Sequence, residues 1–199
     1  MSEVLPEIYL ARHGNTAWTL TGQHTGLIDL PLTPNGECNA RRLGERLKGM
    51  TLAKVFTSPL QRAARTCELA GFGTVAETDP DLVEWDYGQH EGLRSARNPS
   101  RTPGLATVPG WLPGRRIART NWRAGGPCGR ACSRGSGQRP TLFQRAFHSG
   151  SGSPLLTLSP GSAGRYFVLS SARLSSLSYE HNLSQPVIRL WNDDHHVAA

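Results

Sequence analysis

Ile8–Tyr9–Leu10–Ala11–Arg12–His13–Gly14–Asn15–Thr16 passes in one step from an apolar run to a polar loop. Glu7–Ala11 reads as a strand, which puts Arg12 and His13 just past its carboxyl end. Open α/β sheets bind their ligands at that edge. An imidazole beside a guanidinium suits attack on a phosphorus atom whose oxygens the arginine holds.

The rhythm set by this strand continues outward. Thr33 is placed to cap a helix with Pro34 in its first turn and Glu37 complementing the dipole, and Ala40, Leu43 and Leu47 recur at helical spacing. Leu52–Thr57 reads as a second buried strand, and Ser58–Pro59 opens another helix whose apolar positions are Leu60, Ala63, Ala64, Cys67 and Leu69. Strands alternating with helices predict an α/β chain with a parallel sheet covered on both faces. Near the other end Arg165–Ser170, Leu174–Glu180 and Val187–Trp191 read as strands.

Residues 94–163 break the rhythm. Gly, Pro, Ser and Arg dominate, neither helical nor strand periodicity is sustained, and an irregular or poorly ordered segment is predicted. The net charge of +7 belongs to this part of the chain, since no Asp, Glu or Lys lies between Glu91 and Glu180 while Arg recurs. Such a composition, changing abruptly at both edges, is that of a GC-rich gene read out of frame with a compensating shift near Gly164–Tyr166; independent DNA reads test this. An arginine-rich segment could also bind nucleic acid by counterion release, but it carries few aromatics and no nucleic-acid motif, so no specific nucleic-acid partner is expected.

At 199 residues a single domain spanning 1–199 is expected. Nothing near Met1–Pro6 reads as a signal peptide, and no stretch approaches the roughly 20 apolar residues of a membrane span. The four cysteines show no disulfide framework, so a cytoplasmic chain with reduced thiols is predicted. Cys128 and Cys132 are spaced for two ligands on one helix but lack further partners at metal spacing, and neither a metal nor a cofactor is predicted.

Arg12–His13–Gly14–Asn15–Thr16, Gly22–Gln23–His24–Thr25–Gly26, Leu30–Pro31–Leu32–Thr33–Pro34–Asn35–Gly36–Glu37, Thr57–Ser58–Pro59–Leu60–Gln61–Arg62–Ala63 and Asp81–Leu82–Val83–Glu84–Trp85–Asp86–Tyr87–Gly88 occur in this order. Together they resemble the histidine phosphatase superfamily, also called phosphoglycerate mutase-like, and within it the sugar-phosphatase branch that includes sedoheptulose bisphosphatase. The resemblance covers about the first 92 residues and, more weakly, Leu177–Asn192. It implies a three-layer α/β/α sandwich and a metal-independent phosphatase acting on a small phosphorylated metabolite. His13 would become phosphohistidine, Arg12 and Arg62 would clamp the transferred group, and Glu84 would serve as acid and base. Asn15, Thr16, Gln23 and Thr25 would line the phosphate pocket, although each side chain could equally cap a loop. His24 and His90 read as rim or loop residues.

The family pattern also asks for a second histidine, usually after Gly at the end of a later strand. No Gly-His dipeptide occurs in this chain, and the one histidine in the appropriate region is His148. Activity is therefore expected to be impaired unless another group substitutes. A phosphoglycerate mutase-type phosphotransferase is the alternative reading, disfavoured because such mutases are usually longer. The oligomeric state is open.

Overall fold

The structure is a computed structural model that describes residues 5–84, 86–94, 141–144 and 168–197. The expectations for a poorly ordered segment over 94–163, for its reading frame and for His148 fall almost wholly outside those residues.

Among the described residues, six strands form one sheet in the order β3-β2-β4-β1-β5-β6. They are β1 (Ile8–Ala11), β2 (Lys54–Thr57), β3 (Ala76–Thr78), β4 (Thr141–Gln144), β5 (Leu174–Tyr179) and β6 (Pro186–Asp193). The first four in that spatial row run parallel, whereas β5 pairs antiparallel with β1 and β6 antiparallel with β5. The sheet is thus mixed rather than purely parallel, and β6 returns along β5 through the short turn at residues 180–185.

Two further expectations are corrected. Thr141–Gln144 is a strand inside the segment that reads as strandless, and it fills the place between β1 and β2. Its identity comes from ladder partners on both sides, which a four-residue run does not announce in its own composition. Conversely, Val168–Ser170 is not a strand but the approach to a turn at Ser171–Ala172.

Helix α1 (Ala17–Thr21) is a single turn; α2 (Pro34–Leu47) and α3 (Gln61–Leu69) follow. Thr33 caps α2 by accepting from the Gly36 N–H at 3.0 Å, as its position predicts. The apolar stripes of α2 and α3 place Leu43, Leu47 and Cys67 against Ala11, Val55 and Leu174 on one face of the sheet. Strand alternation sends Ile8, Leu10, Phe56 and Leu177 to the other face, where Leu82 of the 3-10 turn Pro80–Leu82 and Trp191 cover them. This is an α/β sandwich with its core split by the sheet. The carboxyl ends of β1, β2 and β4 and the start of β5 share one edge, and the His13 loop lies there.

Candidate active site

Close backbone contact locks the loop after β1. A Cβ on Gly14 would collide with the Gly36 carbonyl, and one on Gly36 would lie 2.7 Å from the Asn15 nitrogen. The first turn of α2 therefore abuts the loop through two glycines, where any added Cβ would force the backbone to shift. From the other side, Thr66 of α3 accepts the Gly14 N–H at 3.0 Å and donates to the Arg62 carbonyl at 2.7 Å. The Asn15 carbonyl accepts from the Thr33 N–H at 2.7 Å and from its hydroxyl at 3.2 Å.

His13 is buried in this frame, with Nδ1 2.8 Å from the Gly14 carbonyl oxygen. A carbonyl only accepts, so Nδ1 carries the hydrogen and Nε2 keeps its lone pair. Burial, then the charge of Arg12 and to a lesser degree Arg62, lower the pKa of the ring to about 3, against the raising effect of the Gly14 bond. The imidazole is neutral and fixed in one tautomer at neutral pH.

Arg12 is held by Nη1 donating to the Leu169 carbonyl at 2.8 Å, while its Nε is buried with no hydrogen-bond partner among the described residues. Burial lowers its pKa, opposed by the nearby Glu84 and Tyr87. Arg62, the second residue of α3, is fully buried. Its Nη1 and Nη2 donate to the carbonyls of Ile28 and Gly26 at 3.0 and 2.8 Å, so one N–H of each is committed to the loop after Thr25. Arg62 stands behind the cleft wall, close enough for its charge to act on His13 and to feel Glu84.

Glu84 is buried and follows the 3-10 turn capped by Asp79. Trp85, its expected neighbour, lies outside the described residues. Arg12, His13, Asn15, Gln23, Thr25 and Glu84 line one cleft of about 530 Å³. Thr16 does not. Its fully buried hydroxyl accepts from the Thr19 N–H while the Thr19 hydroxyl accepts from the Thr16 N–H, a reciprocal cap on α1.

The outer wall is a pair of loops. Gln23 donates through Nε2 to the Gly92 carbonyl at 2.6 Å, and Glu91 Oε1 accepts from the Gly26 and Ile28 N–H groups at 2.8 and 2.6 Å. The Thr25 hydroxyl donates to the Gln23 carbonyl at 3.3 Å. His24 lines the cleft and stacks on Tyr87 with ring centroids 4.9 Å apart. Asn39, Tyr87, Ser170, Ser171 and Arg173 also line the cleft and are not among the sequence-predicted site residues. Tyr87 lies within the Asp81–Gly88 motif, whereas Arg173 is a lone arginine before a strand and gives no local signal.

The combination is a neutral imidazole with a free lone pair, a guanidinium beside it and a carboxyl group in the same cleft. That set can accept a phosphoryl group, hold its oxygens and move a proton to a departing oxygen.

Residues 8–138 match the family described as histidine phosphatase superfamily (branch 1). The chain is 31% identical over 181 residues to an acid phosphatase of Mycobacterium tuberculosis, covering 89% of each. It is 39% identical over 108 residues to sedoheptulose 1,7-bisphosphatase of Saccharomyces cerevisiae, covering 47% of this chain but only 40% of that enzyme. Among solved structures, an open reading frame product of Mycobacterium tuberculosis superposes with a TM-score of 0.75 at 29% identity, over 94% of this chain and 96% of that one. Phosphoserine phosphatase from Entamoeba histolytica shares the fold, with a TM-score of 0.73 at 21% identity over 97% and 100% of the two chains.

Proposed function

The chain belongs to the histidine phosphatase superfamily, and from that premise we propose that it hydrolyses phosphoric monoesters of small metabolites, sugar phosphates among them, through a phosphohistidine on His13. The observation that carries the proposal is the bond from His13 Nδ1 to the Gly14 carbonyl, 2.8 Å long, which leaves Nε2 as the nucleophile. Nε2 attacks phosphorus, the P–O bond to the substrate breaks, and Glu84 gives its proton to the leaving alkoxide. Water then gives a proton to Glu84 as its oxygen bonds to phosphorus. The P–N bond breaks and inorganic phosphate departs. Arg12, with the charge of Arg62 behind it, stabilises the three equatorial oxygens.

No metal is assigned a part in these steps. Unless another group takes the place of the pattern's second histidine, the phosphoryl pocket has one donor fewer, and a missing transition-state donor costs on the order of 10²–10³ in rate. The test is a quench of the enzyme with ³²P-labelled sugar phosphate. Label should stay on the protein, survive EDTA and be absent from His13→Ala. Label retained by His13→Ala would end the proposal.

A further inference from the structure

The cleft has a second guanidinium that the phosphoryl chemistry does not use. Arg173 lies next to Arg12 across the ladder, its carbonyl accepting the Arg12 N–H at 3.2 Å and its own N–H donating to the Ser170 carbonyl at 3.3 Å. It is placed there by Ala172, a fully buried non-glycine residue at φ 56°, a conformation unfavourable for a side chain with a Cβ. Two bonds hold that turn: the Ala172 N–H donates to the His13 carbonyl at 3.0 Å, and His196 Nε2 donates to the Ala172 carbonyl at 2.6 Å. The nucleophile's own backbone thus fixes where Arg173 stands.

The valence of Arg173 is only partly filled. Nη2 pairs with the largely exposed Asp194 at 3.1 Å, and pairs open to solvent are weak. Nη1 is buried and has no hydrogen-bond partner among the described residues. An N–H in that state is costly unless an acceptor arrives. Ser170 and Ser171 line the same wall, and Glu84 is the sole carboxylate among the described residues that line the cleft.

We infer that Arg173, with Ser170 and Ser171, forms a second anion subsite, so that the substrate carries a carboxylate or a second phosphate besides the phosphoryl group that His13 takes. This rests on the phosphatase reading. It makes Arg173 a specificity-determining residue.

Calorimetric titration with three phosphonates, whose C–P bond cannot be hydrolysed, tests it. Propylphosphonate carries one anionic group, 3-phosphonopropionate adds a carboxylate, and propane-1,3-bisphosphonate adds a second phosphonate. One of the latter two should bind at least about tenfold tighter than propylphosphonate, as one charge-assisted bond implies. The ligand that gains identifies the group. Arg173→Gln should reduce that preference ratio about tenfold. Asp194→Asn, which keeps Arg173 and frees Nη2, should raise the ratio. Equal affinity for all three ligands, or an equal loss for all three in Arg173→Gln, overturns the subsite alone. Failure of propylphosphonate and inorganic phosphate to bind at all overturns the phosphatase reading, and the subsite with it.

Discussion

Nδ1 of His13 lies 2.8 Å from the carbonyl oxygen of Gly14, its own neighbour in the chain. The tautomer of the proposed nucleophile is therefore set by the conformation of a single peptide, not by a distant carboxylate. Whatever holds that peptide holds the reactivity of Nε2. Two elements do so: Thr66 from α3 and the glycine contact with α2.

Thr66→Val is nearly isosteric but removes a hydroxyl that serves the Gly14 N–H and the Arg62 carbonyl, at a site with no solvent exposure. Leaving buried groups unpaired should cost about 1–3 kcal/mol. The turnover number should fall roughly tenfold as the loop loosens, since one transition-state-aligned group loses its seat. Thr66→Ser keeps the hydroxyl and should recover most of both losses. Urea unfolding and steady-state kinetics on the three proteins decide it; a Ser variant no better than Val would refute the assignment.

Gly36→Ala should destabilise the protein even though it adds a helix-favouring residue to α2. The new Cβ would meet the Asn15 backbone, 2.7 Å from its nitrogen and nearer still to its oxygen. Backbone cannot rotate away as a side chain can, so the cost of about 1–3 kcal/mol for overpacking exceeds the helix-propensity gain of about 1 kcal/mol. A lower urea midpoint at unchanged m-value is expected. An unchanged midpoint would mean that the two segments are not in contact.

Glu84→Gln tests the proton transfer proposed for Glu84 separately from binding. Without an acid, an alkoxide leaving group should depart on the order of 10²–10⁴ more slowly. p-Nitrophenyl phosphate, whose leaving group needs little protonation, should lose much less in its phosphorylation step. Burst kinetics with both substrates read that step directly. Equal losses would remove Glu84 from the acid's role.

Within the first 93 residues the strand before His13, α2, β2 and α3 were legible because each signal there is local, whereas the single turn α1 and the three-residue β3 gave none. The Thr33 cap, the Pro34 helix start, the stripe of Leu43 and Leu47 and the strand before His13 each occupy a few consecutive residues. β4 was hidden for the opposite reason, since Thr141–Gln144 becomes a strand only through partners on β1 and β2 far away in the chain. Arg62 shows the same limit at the site. Its type and place were readable, but its bonds to Gly26 and Ile28 span 36 and 34 residues. Thr16 shows another: a hydroxyl suited to phosphate is equally suited to cap a helix, and here it caps.

Stability should depend on pH through His13 itself. Its pKa falls from 6.5 when the chain is unfolded to about 3 in the fold, chiefly by burial. Between those values the unfolded chain binds a proton that the native protein does not. Acid therefore favours unfolding: the contribution is fully present above about pH 6.5 and is lost as pH falls toward 3. At about 1.4 kcal/mol per unit, the whole span is worth about 5 kcal/mol. His196, whose pKa is also lowered by burial, acts with the same sign. The melting temperature should accordingly be flat from pH 8 to 7 and fall below pH 6.5. His13→Asn, which does not titrate, should show a slope shallower by about one proton between pH 6 and 4. Because the ring is already neutral throughout this range, any loss of turnover by the folded protein between pH 7 and 5 must come from another group. An identical pH slope in wild type and variant would show that His13 is not buried as a neutral ring.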